Sequence, residues 1–175
     1  MAQNSPRFST GYYFQTLTQV LGAPRSFFRQ LPEQTGYHQS FGFLLASALF
    51  SAAAAVMTQP LDRPLVAGGV YLVNAVGMAV IAAGLGYMVI TMVFPRKTGF
   101  RRIFSIYAMA SGTTLLAAWI PLFIWITEPW KWILIGIGLS QACGLKWMQS
   151  ILVVAVSIGV IILFFWSLAA MVLSG

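Results

Sequence analysis

Acid–base or ligand chemistry in this chain must come from very few side chains: three acids, ten Lys and Arg, one His and one Cys among 175 residues. Glu128 is the acid nearest to apolar sequence, and a carboxylate at membrane depth is the usual device of a proton relay. Pro129, Trp130 and Lys131 follow it, though, and Trp beside charges marks a turn at headgroup level. Glu128 is therefore expected to pair with Lys131 at i+3 or to face solvent. His38 offers a single imidazole, which binds metal or cofactor only with ligands from a partner, and is expected to be a polar surface residue. Cys143, in a short apolar stretch, is expected to pack as a small hydrophobe rather than serve as a palmitoylation or redox site. One Cys cannot form an internal disulfide or hold an iron–sulfur cluster, and with one His it cannot close a zinc site. A haem held by two His of this chain is excluded, as is a Ser-His-Asp set with Asp62 on the opposite side of the bilayer from His38. Gly84-Leu85-Gly86 is no phosphate loop, because no Lys follows it within its apolar run. General acid–base groups are so scarce that an enzyme is the weakest reading, and no catalytic residue, metal or cofactor is expected.

The other polar candidates recur at helical spacing. Asn74, Gly77, Gly84 and Thr91 stand at steps of three and seven, and Tyr107, Ser111 and Thr114 at i, i+4 and i+7, so each set shares a helical face. Such stripes can line a substrate path, the reading that would make the chain a small transporter or channel. They can also bond one helix to another, each bond contributing on the order of 0.6 kcal/mol. Packing of Asn74, Gly77 and Gly84 against Tyr107, Ser111 and Thr114 is the expectation, with Gly84→Leu forcing the backbones of both helices away from each other. A second set is basic and aromatic. Arg25 and Arg29 are i, i+4 neighbours, with Phe27, Phe28 and Leu31 on the adjoining face. That pattern predicts a short helix in the membrane interface, both rings in the acyl boundary and both guanidinium groups at phosphate level. Arg96, Lys97, Arg101 and Arg102 form the densest basic cluster and are expected to meet anionic phospholipid headgroups.

The elements that must position these residues are membrane helices. Hydrophobic residues make up 59% of the chain and charged ones 7%, with a mean hydropathy of +0.83. An ordinary soluble domain is about 25% charged, and one of this length could not hide so much apolar surface. The net charge of +7 sits between apolar runs and is read as topological rather than as a nucleic-acid patch. The first residues lack the basic-then-apolar pattern of a cleaved signal, so the first apolar span is expected to be retained as an anchor. Residues 1–11 are expected to be a disordered tail and 12–38 a cytoplasmic or interfacial helical segment, with Pro24 in the first turn of its second half. Residues 39–175 are expected to form the transmembrane bundle, with spans at about 41–58, 65–94, 103–120, 130–145 and 148–173. The Ala-rich stretch Ala52 to Ala55 offers a thin face for close helix contact, and Pro121 ends or kinks the third span. The apolar run of the fourth, 133–145, is short for a crossing. Charge bias decides the count. Arg7, Arg25 and Arg29 outweigh Glu33, the loop after the second span is purely basic, and the loop after the first balances Asp62 against Arg63. Five crossings, N-in and C-out, place every basic segment in the cytoplasm. The expected fold class is thus an all-α integral membrane protein, a five-helix transmembrane bundle preceded by a short interfacial amphipathic helix.

Several segments also resemble a known family. Leu-Gly-Ala-Pro-Arg-Ser-Phe-Phe-Arg-Gln-Leu (Leu21 to Leu31) precedes the first span. Asn-Ala-Val-Gly-Met-Ala (from Asn74) and Gly-Leu-Gly-Tyr (from Gly84) lie in the second, and Ile106-Tyr107-Ala108 follows the basic loop. Gly-Ile-Gly-Leu-Ser-Gln-Ala-Cys-Gly-Leu-Lys-Trp (from Gly136) leads into the last. Together, over Thr16 to Leu173, they resemble the Yip (Ypt-interacting protein) domain family. The resemblance implies a five-helix polytopic protein with a cytoplasmic amino terminus. Eukaryotic members bind Rab-type GTPases and help vesicle traffic, whereas bacterial members mostly have no assigned activity. The compact chain, without a long acidic or Pro-rich tail, is similar to the bacterial type. A non-enzymatic scaffold in a bacterial inner membrane is the resulting expectation, an accessory subunit of a larger complex such as a respiratory one. Its expected partners are other membrane proteins and anionic phospholipids, with no nucleic acid and no evident small-molecule substrate.

Overall fold

The computed structural model describes residues 9–31, 36–60, 62–94 and 98–174, with side-chain environments through Trp166. Among the described residues there are seven helices and no strand. α1 (Thr10–Gly22) starts behind Ser9, whose Oγ accepts the Tyr12 N–H at 3.2 Å. This N-cap satisfies one of the orphan donors of the first turn, and it brings Thr10 and Gly11 out of the expected disordered tail into a helix. α2 (Pro24–Gln30) begins on Pro24, as the fixed φ and missing N–H of proline allow. The long helices follow: α3 (Tyr37–Thr58), α4 (Pro64–Val93), α5 (Phe100–Ala118), α6 (Ile124–Cys143) and α7 (Trp147–Ser174). Three of them, α3, α4 and α7, are long and apolar enough to cross a membrane. At 30 residues α4 measures about 45 Å, longer than the ~30 Å hydrocarbon core, so it must tilt or protrude.

α5 falls outside that group for a physical reason. Every residue from Ile103 to Thr114 is buried, so this helix is enclosed by protein on all sides along most of its length. α3, α4 and α6 pack directly on it, and α7 packs on both α4 and α6. A helix surrounded by other helices need not match lipid, and α5 carries Ser105, Ser111, Thr113 and Thr114 inside. Thr113 and Thr114 return their hydroxyls to their own helix, at 2.8 Å to the Met109 carbonyl and 3.0 Å to that of Ser111. Ser105 is tied to its neighbour. The Ser40 Oγ donates to the Ser105 Oγ at 2.8 Å, and Ser105 donates in turn to the Arg101 carbonyl at 3.0 Å.

Close approach around α5 depends on bare backbone. A Cβ on Gly112 would lie 2.8 Å from the Phe43 ring of α3, and one on Gly138 of α6 would overlap Ile106 and press on the Phe28 ring. α3 accordingly buries Ser40, Phe43, Leu44, Ser47, Ala48, Ala52 and Ala55, a stripe at helical spacing. Ala52 and Ala55 thus supply some of the thin face expected of the Ala-rich stretch.

The fourth long helix is continuous from Ile124 and spans 20 residues, so the 13 residues of 133–145 understate it. Pro129 lies in its second turn, where one lost N–H bond is tolerated. α5 ends before Pro121, and the turn is completed by Leu122 at φ 70, a left-handed conformation unusual for a residue with a Cβ. α6 stops at Gly144, also left-handed at φ 63, the common helix terminator.

Candidate functional site

Consecutive long helices run antiparallel, which sorts the described charges to two ends. Arg25, Arg29, Arg101, Arg102 and Lys146 fall at the end formed by α2, the starts of α3 and α5, and the α6–α7 junction. The opposite end carries Asp62, Arg63, Glu128 and Lys131, two acids and two bases. Arg96 and Lys97, the core of the expected basic cluster, lie outside the described residues. Arg101 is exposed and its guanidinium stacks over the Tyr37 ring of α3 at 4.7 Å, a cation–π contact that covers the end of α3.

α2 keeps both its Arg outward but uses its rings differently from the expectation. Arg25 and Arg29 are exposed and Phe27 is half-buried. Phe28 is fully buried against α6, over Gly138 and in edge contact with Phe27 at 5.3 Å. The expectation of both rings in the acyl boundary is therefore corrected for Phe28, which anchors α2 to the bundle. The small notch at Gly138 makes room for the ring, and burying it against protein is what fixes α2. α1 is pinned in the same way: the Tyr13 hydroxyl meets the Ser47 Oγ of α3 at 2.9 Å and its ring lies 4.9 Å from Phe43.

The stripe Asn74, Gly77, Gly84 is corrected as a packing face. A Cβ at Gly77 or Gly84 would meet nothing within 4 Å, and Asn74 is exposed. The side of α4 that is buried carries Ala79, Ala82, Ala83, Gly86 and Ile90. At about 3.6 residues per turn this set lies nearly opposite Gly77 and Gly84. Gly86 meets Tyr107, whose fully buried hydroxyl faces Ser157 of α7 without reaching hydrogen-bond geometry. The expected bonds between the two stripes are replaced by the back-bonds within α5 and by Ser40–Ser105 and Tyr13–Ser47. Ser40, Ser47 and Ser105 were not singled out from the sequence. The seven-residue step from Ser40 to Ser47, on the face that also carries Phe43 and Leu44, was the signal available.

Three of the polar residues do come together, around a cavity of about 600 Å³ between α3, α4, α5, α6 and α7. Asn74, Ser111 and Thr114 line it; Tyr107 does not. Its inner walls are small or aliphatic, among them Ala48, Ala52, Ala82 and Ile135, and its mouth carries Gln59, Tyr71, Glu128 and Lys131. Lys131 Nζ bonds the Glu128 carboxylate at 2.7 Å, as the spacing predicted, and lies 5.3 Å from the Trp132 ring centre. His38 is exposed at the basic end, in a shallow hollow with Tyr37, Phe41 and Phe104. Cys143 is half-buried at the end of α6.

No curated protein and no solved structure matches the chain. Its residues 18–169, from the middle of α1 to near the end of α7, match the Yip1 domain. An all-helical architecture with apolar spans and an α2 docked before the first of them accompanies that match, and the chain belongs to the Yip1 domain family of membrane proteins.

Proposed function

We propose that the chain is a non-enzymatic membrane scaffold in which all five long helices cross the bilayer, amino terminus in the cytoplasm and carboxyl terminus outside. The observation that carries the reading is the enclosure of α5. At 19 and 20 residues α5 and α6 measure about 29 and 30 Å, the thickness of the ~30 Å hydrocarbon core. A helix enclosed by partners of that length crosses with them despite its Ser and Thr. The basic end then faces the cytoplasm, with Arg25, Arg29, Arg101 and Arg102 meeting anionic headgroups. Side chains spread along the outer faces of α4 and α7, such as Val66, Val73, Met92, Leu163 and Trp166, are apolar and exposed, which suits lateral contact with lipid or with other membrane helices. An accessory subunit of a larger bacterial inner-membrane complex, a respiratory one for instance, contributes helix packing and lipid contacts of this kind.

Purification in mild detergent followed by mass spectrometry of the intact assembly tests the role. A stoichiometric membrane-protein partner is expected, and a lone homo-oligomer overturns it. Reporter fusions at both ends test the crossings, since ends on the same side of the membrane refute five. A transporter is the second reading, favoured by the gathering of Asn74, Ser111 and Thr114 on one cavity. Solute flux in vesicles containing the lone protein would replace the scaffold reading with it.

A further inference from the structure

We infer that the cavity is a slot for one acyl chain of a zwitterionic phospholipid, held with its phosphate at Lys131 and its ammonium at Glu128. Depth is the first ground. Along α3 the lining runs from Gln59 at the helix end to Ala48 in its middle, eleven residues or about 16 Å, against about 15 Å for one leaflet of hydrocarbon. The slot is therefore one leaflet deep and stops near the middle of the bundle. Size agrees, since 600 Å³ falls within the range of about 300–1,000 Å³ found for ligand sites. Ala48, Ala52, Ala82 and Ile135 present methyl groups to an alkyl chain; of the polar residues that also line the slot, Thr114 spends its hydroxyl on the Ser111 carbonyl, and Asn74, Ser111 and Ser51 leave the wall mixed rather than wholly apolar.

Charge at the mouth is the second ground. Glu128 and Lys131 are each other's partners at 2.7 Å, in the Trp-rich first turns of α6 where headgroups lie. A purely anionic headgroup could take Lys131 only by leaving the Glu128 carboxylate without its cation. A zwitterion exchanges one internal ion pair for two external ones, phosphate on the Lys131 ammonium and lipid ammonium on the Glu128 carboxylate, so neither charge is stranded. The neighbouring loop adds Asp62 and Arg63, which cancel, and the described charges of this end sum to zero. The opposite end is uniformly basic among its described charges, so selection of a neutral lipid is confined to the end that holds the cavity. The slot goes beyond the scaffold reading and is filled whether or not a protein partner exists.

Native mass spectrometry of the full chain, stripped of lipid in mild detergent and titrated with dioleoylphosphatidylethanolamine or dioleoylphosphatidylglycerol, tests this. One ethanolamine-lipid adduct is expected at about tenfold lower concentration than the glycerol-lipid adduct. Ala75→Phe, which fills the slot from α4, is expected to abolish that first adduct. Glu128→Lys places a second positive charge at the mouth and is expected to reverse the preference; Glu128 is half-exposed, so the variant folds. Equal uptake of the two lipids by the wild type overturns the inference, as does a preference that survives Ala75→Phe. Should Ala75→Phe fail to fold, Glu128→Lys decides alone, because an unreversed preference places the headgroup elsewhere.

Discussion

The phenol of Tyr107 on α5 rests against the bare backbone of Gly86 on α4, so close that a Cβ on Gly86 would overlap its hydroxyl. This contact, rather than one at Gly77 or Gly84, sets how near the two helices approach. The ring fills the space left by the glycine, and the fully buried hydroxyl faces Ser157 of α7 outside hydrogen-bond geometry.

Gly86→Ala is expected to destabilise the bundle by about 1–2 kcal/mol, because overpacking outweighs the gain in helix propensity. Gly84→Ala should leave thermal unfolding in detergent unchanged or slightly improved, and Gly84→Leu should likewise be tolerated. A melting temperature lowered as much by Gly84→Leu as by Gly86→Ala would show that both faces of α4 are packed.

Phe28→Ala is expected to cost about 3–5 kcal/mol, the usual range for deleting a fully buried ring. Phe27→Ala, at a half-buried site, should cost much less. Limited proteolysis between α1 and α3 is the direct readout, since release of α2 from Gly138 exposes its backbone. Equal cleavage of the two variants would mean that the rings are equivalent and that α2 is held by lipid.

The Ser40–Ser105 bond joins α3 to α5 in the buried interior of the bundle. A double-mutant cycle with Ser40→Ala and Ser105→Ala should give a coupling of about 0.6 kcal/mol, the average for hydroxyl bonds between membrane helices. Zero coupling would assign both hydroxyls to carbonyls of their own helices.

Glu128→Gln should change stability by no more than about 1 kcal/mol, because the pair with Lys131 is partly exposed and close to headgroup level. Unfolding of this variant and of the wild type at pH 7 provides the comparison. A loss of several kcal/mol would instead mark a desolvated pair deep in the membrane.

The sequence by itself determined that the chain is a membrane protein, where four of its five long helices lie to within a few residues, and the family resemblance, and it offered the Glu128–Lys131 pair beside a solvent-facing Glu128. Each of these follows from local properties. Apolar runs between charges define spans, Pro24 marks a helix start, and i+3 spacing brings Lys131 to Glu128. The tertiary structure alone decided which face of each helix meets protein. In a soluble helix the apolar stripe marks the buried side; in a bilayer the outside is as apolar as the inside, and the pattern loses that meaning. Periodicity therefore grouped Gly77 and Gly84 correctly on one face of α4, yet the partners of α4 lie on the other, where Ala79, Ala83 and Gly86 let them in, and Asn74 sits at the edge between them, on the cavity. It grouped Phe27 with Phe28, while the notch at Gly138, more than a hundred residues away in sequence, decided that Phe28 turns into the protein. The enclosure of α5 and the cavity beside it are sums of five helix positions, and no window along the chain contains them.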